Sequence, residues 1–104
     1  MAFKVLFLAH APDADKEKHR SIIDTGKYKL LSVVVKTQEE AIEECKDIHE
    51  KENIDTVLLC PGFKHLDVAE ISRSLEGKVA VCVARGDGPG NRISQAAMKR
   101  ENYF

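Results

Sequence analysis

The chain has 104 residues, enough for one folded unit and too short for a second hydrophobic core. At 43% hydrophobic and 32% charged, its composition is that of a globular protein and excludes a disordered one. The formal net charge is -1, and basic residues are interspersed with acidic ones, as in Asp15-Lys16-Glu17-Lys18, so no one-signed field would recruit nucleic acid.

The first predicted strand covers 3–9 and is apolar at nearly every position, the pattern of a strand covered on both faces. It runs out into His10. The A-P-D-A-D turn over 11–15 then opens a predicted helix, with Asp13 or Asp15 as N-cap and Gly26 as its end. The second strand, over 28–36, alternates in its first half and becomes continuously β-branched at Val33-Val34-Val35. Thr37 and Glu40 have the spacing of a capping box that starts a second helix. Within it Ala41, Ile42, Cys45 and Ile48 recur at helical spacing, while Glu39, Glu43, Asp47 and Glu50 face water.

The third strand covers 54–60 and stops at Pro61-Gly62. A third helix follows over 65–76, and a fourth strand over 79–85 ends on Arg85. Beyond the loop 86–91 a fourth helix buries Ile93, Ala96 and Ala97. Strands separated by helices need crossovers, which make a parallel sheet. The expected fold is therefore α/β: one domain over 1–104, a four-stranded parallel sheet from four βα units in flavodoxin-like order 2-1-3-4, with helices on both faces. The second strand, with its flanking lysines, is expected at an edge. Four strands are few for burying both faces of a sheet, which predicts a homo-oligomer.

In such a sheet His10, Cys60 and Arg85 stand at the carboxyl ends of three strands, the edge where open α/β folds bind ligands. Order 2-1-3-4 opens a crevice between the first and third strands, with His10 on one side and Cys60 on the other. A Cys there faces the start of the next helix, whose dipole favours the thiolate, and a nearby His supplies a base. The alternative is that Cys60 is a small core residue and His10 a loop residue bonded to a carbonyl.

The second constellation is Arg85-Gly86-Asp87-Gly88-Pro89-Gly90-Asn91, where glycines leave backbone N–H groups uncovered and Arg85 offers a clamp for a carboxylate or phosphate. It matches neither a P-loop nor a dinucleotide fingerprint, and the plainer reading is a flexible structural turn. Cys45 and His49 stand four apart, but two ligands do not make a metal site. Three cysteines at irregular spacing suggest neither a disulfide framework nor a zinc site, and no signal peptide or membrane span is visible. A reduced, cytoplasmic setting follows, with no cofactor, no metal, no nucleic acid and no membrane as partner.

The segments A-P-D-A-D-K-E-K-H-R and L-L-C-P-G-F resemble a family of small bacterial and archaeal α/β proteins of unknown function. In that family A-P-x-A-D…H-R follows the first strand and L-C-G-G-F the third. The resemblance carries over to Pro12, Asp15, His19, Arg20, Cys60, Gly62 and Phe63, and departs at Pro61, at Lys64-His65 and through the loop 86–91. It implies that the loops after strands one and three act as a unit, and that His19 and Arg20 are candidate pocket groups.

The leading expectation is a protein that binds a small, anionic metabolite at the carboxyl edge of the sheet, through His19, Arg20, Gly62, Phe63, Arg85, Gly86 and Gly88. An alternative is an enzyme with Cys60 as nucleophile and His10 or His19 as base, working in acyl-transfer, isomerase or thiol chemistry. A third is a non-catalytic assembly or regulatory module that uses a sheet edge or the Tyr103-Phe104 tail.

Overall fold

In the computed structural model, which describes residues 1–104, five strands and three helices follow in the order β1 (Phe3–His10), β2 (Arg20–Asp24), β3 (Tyr28–Val35), α1 (Gln38–Glu52), β4 (Thr56–Leu59), α2 (His65–Ser74), β5 (Ala80–Val83) and α3 (Gly88–Arg100). The sheet order is β2-β3-β1-β4-β5. β1 pairs in parallel with β3 and β4, and β4 with β5, whereas β2 runs antiparallel to β3. The class is α/β and the four expected strands keep their order. The all-parallel, four-stranded sheet built from four βα units is corrected to a mixed sheet of five strands with three helices.

The difference lies between residues 11 and 26. The segment expected as a helix is a turn-rich loop followed by the strand Arg20–Asp24. Ile22-Ile23 and Tyr28 to Val35 are two β-favouring runs separated by Asp24-Thr25-Gly26-Lys27, a hairpin signal. Thr25 N–H donates to the Tyr28 carbonyl (2.9 Å) and Gly26 N–H to Asp24 Oδ1 (2.8 Å). Gly26 has φ 99°, so it turns the hairpin rather than ending a helix. Asp15 does not cap a helix either: its Oδ1 accepts from Glu17 N–H (3.0 Å) in a local turn. β2 takes the edge position expected for the strand over 28–36, which is now second in the sheet.

α1 begins at Thr37, whose hydroxyl accepts from Glu40 N–H (3.1 Å), while Glu40 Oε1 accepts from Lys36 N–H (2.8 Å). Its stripe Ala41, Cys45 and Ile48 packs with Leu6, Leu8, Leu31, Val33 and Val35 from the strands. α2 adds Ile71 to the same core, beside Val57 and Leu59 of β4. α1 and α2 thus cover one face of the sheet, and the expected helices on both faces are corrected to helices packed on one. α3 does not bury Ile93, Ala96 and Ala97 as expected: Ile93 is 75% exposed and the helix contains no buried residue. Its first turn holds Pro89 between Gly88 and Gly90, and the helix stands off the sheet across a cleft lined by Ala97 and Met98.

Candidate functional site

β1 and β4 lie side by side, and the chain leaves them in opposite directions across the sheet: β1 leads towards β2 and β3, and β4 towards β5. The carboxyl ends of these two strands therefore flank a topological switch point. Ladder bonds carry the pairing to the last residues before the loops. Cys60 N–H donates to the Leu8 carbonyl (3.0 Å), Ala11 N–H to Val35 (3.0 Å) and Ala84 N–H to Leu59 (2.8 Å). His10 and Arg85 consequently stand level with Pro61, and Cys60 lies one residue before that level.

Above them lies a cleft of about 710 Å³, lined on the strand side by His10, Cys60, Gly62, Arg85 and Gly86. Its opposite wall comes from α3 and the tail, including Asn91, Gln95, Met98, Tyr103 and Phe104. The loops after β4 and β5 meet at its floor, where a Cβ on Gly86 would lie 3.4 Å from Pro61 Cβ.

The His10 ring stacks on Phe63, with centroids 4.0 Å apart and planes inclined by 27°. Phe63 is buried, because the turn at Pro61-Gly62 directs it into the core, and its N–H donates to the Cys60 carbonyl (3.3 Å). Burial pushes the His10 pKa below its ordinary value, and the Asp67 carboxylate opposes that shift. The imidazole is therefore neutral at pH 7, with one nitrogen to donate and one to accept.

Arg85 is highly exposed and pairs with Asp87 (2.8 Å). Asp87 precedes α3 but does not cap it through its side chain, so the first turn of that helix keeps its N–H groups uncapped.

The structure does not bring every sequence candidate to this cleft. Gly88, the first residue of α3, and Phe63, buried in the core, do not line the cavity. His19 and Arg20 lie in the segment that docks on α1. His19 Nδ1 accepts from Asp15 N–H (2.9 Å), and Arg20 donates to Glu44 Oε1 (2.9 Å) and to the Lys16 carbonyl (3.2 Å). Glu44 is a buried carboxylate of α1 that also faces Lys16 at 3.6 Å. Cys45 is fully buried, and burial pushes its thiol up to about 12, with the Glu44 charge adding to the effect. No group of three or more His, Cys, Asp or Glu side chains is placed to hold a metal ion. No helix is long and apolar enough to cross a membrane.

The α3 and tail residues of the cleft were not legible as site groups, because a helix expected to pack on the sheet assigns its apolar side to the core. The signal that could have revealed them is the Gly-Pro-Gly start, which permits a helix to leave the sheet at an angle.

Residues 3–98, which include both strand-end loops and most of α3, match the model of the family of unknown function DUF6506. The chain belongs to that family. The DUF6506 match spans all five strands, so the added hairpin strand β2 lies within the family's own extent. No curated protein and no solved structure matches the chain at a significant level.

Proposed function

We propose that this DUF6506 protein binds a small anionic metabolite in the cleft at the carboxyl edge of its sheet. The observation that carries the reading is the convergence of His10, Cys60 and Arg85 on one cavity at a topological switch point. The volume of about 710 Å³ suits a small molecule. A neutral His10 backed by Phe63 offers a fixed hydrogen-bonding group on an apolar wall. Arg85 and the uncapped first turn of α3 offer the positive end, once an incoming anion replaces Asp87 on the guanidinium.

Amide chemical shifts followed during titration with inorganic phosphate and with short carboxylates test this reading. Shifts at His10, Cys60, Gly62 and Gly86 are expected. Shifts confined to the other end of the sheet, where Lys4 and Lys29 pair with Glu52, would overturn it.

A second reading makes Cys60 a nucleophile and His10 its base. It is favoured by their shared cleft and by the neutral state of His10, which leaves a nitrogen free to accept a proton. His19 is less suited to that role, since its Nδ1 already accepts from Asp15 N–H and it does not line the cavity. The rate of Cys60 alkylation by iodoacetamide against pH separates the two readings. A nucleophile titrates below the free-thiol value of about 8.5, and an apparent pKa at or above it excludes this role.

A further inference from the structure

The sheet face turned away from α1 and α2 is the largest feature that the cleft leaves unexplained. The strand registers put Phe3, Phe7, Ile23, Leu30, Val34 and Leu58 on it. At the amino end of β1 the rings of Phe3 and Tyr28 lie 5.7 Å apart, extending the apolar area. No Asp, Glu, Lys or Arg occupies this face in any of the five strands, although those residues make up 32% of the chain. A solvated sheet face carries the polar and charged residues of its strands, whereas this one has the composition of a covered face. The one remaining helix does not cover it, since α3 buries none of its residues. Phe3 is 51% and Ile23 58% exposed, Phe7, Leu30, Val34 and Leu58 are half-buried, and of the apolar residues on this face only Val5 is buried.

We propose that this face packs against the same face of a second copy of the chain. The accessible surface of 7054 Å² exceeds the roughly 5,800 Å² expected of a folded monomer of 11.6 kDa. The surplus of about 1,200 Å² is more than the roughly 800 Å² that each partner buries in a standard interface. The radius of gyration, 13.9 Å, is likewise above the value of about 12.8 Å for a compact chain of this length. A two-fold axis through the face sets apolar strands on apolar strands and buries no charge. Two such sheets stack at about 10 Å with interleaved side chains. The inference is independent of what the cleft binds.

Sedimentation equilibrium at about 50 μM protomer, where association of ordinary strength is visible, reads it directly. The expected mass is twice 11.6 kDa. Phe7→Glu and the milder Ser32→Lys, whose positions are paired at the centre of the face, are each expected to return the mass to that of one chain with the circular dichroism retained. Leu66→Glu, on exposed α2 surface elsewhere, is expected to leave the dimer intact. A wild-type monomer overturns the proposal, as it would if α3 of the same chain covered the face in solution. A dimer indifferent to both face substitutions overturns it as well. If neither face variant folds, a soluble paramagnetic probe decides on the wild-type dimer. Protected Leu30, Val34 and Leu58 methyls support the interface, and broadened ones overturn it.

Discussion

His10 and Phe63 form a stacked pair, ring centroids 4.0 Å apart, that joins the end of β1 to the loop after β4. Phe63 is buried behind the cleft without lining it, and the contact keeps the imidazole partly out of water. Its consequence is a pH dependence of stability. The unfolded His titrates near 6.5, and burial lowers the folded value. On acidification the unfolded chain takes up this proton first, so acid favours unfolding. The contribution of His10 is present above about 6.5 and is lost as pH falls through the folded pKa. Thermal melts from pH 8 to 5 are expected to show falling stability, with a shallower slope in His10→Phe, which keeps the stack and removes the titration. Equal slopes in the two proteins would remove His10 from this account.

The buried Glu44 carboxylate makes a second prediction. It is held by Arg20 at 2.9 Å and by Lys16 at 3.6 Å, which fastens the loop after β1 to α1. Removing a cation leaves a buried charge with less compensation, so Arg20→Ala is expected to cost about 2 kcal/mol in urea unfolding. The pair Arg20→Met with Glu44→Leu removes the charge along with its partner and is expected to recover most of that loss. Were Arg20→Ala neutral, Lys16 and the backbone bonds would hold the loop without the guanidinium.

These two sites show which parts of the fold could be read from residues and which could not. The central parallel strands were legible because Val5 to Ala9 and Val33 to Val35 are nearly continuous apolar or β-branched runs, and Thr37 with Glu40 marked the start of α1. The hairpin was not, because Gly26 serves equally as a helix end or a turn, and only φ distinguishes them. Polar residues from Asp13 to Arg20 fitted a solvated helix as well as a loop. Glu44 was missed because it neighbours the apolar stripe through Ala41, Cys45 and Ile48, and its cations come from a segment whose path depends on that hairpin. In the site, the gathering of the strand ends at one edge followed from order alone, whereas the wall made by α3 depended on an angle no local pattern encodes.

Gly26 and Gly90 are expected to respond oppositely to alanine. Neither has an atom within 4 Å of a built Cβ, so sterics do not separate them. Gly26 has φ 99°, a conformation that alanine resists, and Gly26→Ala is expected to destabilise by about 1 kcal/mol. Gly90 lies within α3, where alanine restricts the unfolded chain and favours the helix, so Gly90→Ala is expected to stabilise by roughly 0.5 kcal/mol. Chemical unfolding of the two variants beside wild type gives the sign of each.

Arg85 and Asp87 supply the sharpest test of anion binding in the cleft. Their side chains are 86% and 68% exposed, so the bond between them adds little to stability, and Asp87→Ala is expected to change unfolding by less than about 0.5 kcal/mol. Its effect on binding is larger, because an anion must otherwise displace the Asp87 carboxylate to reach the guanidinium. Asp87→Ala therefore frees a cation and removes a like charge at once. Phosphate affinity, measured by amide shifts, is expected to rise about five-fold, equivalent to roughly 1 kcal/mol. Arg85→Ala is expected to abolish the response at Gly86 while leaving the fold unchanged. If both variants titrate like the wild type, Arg85 is a solvated strand end and any ligand in the cleft is held without it.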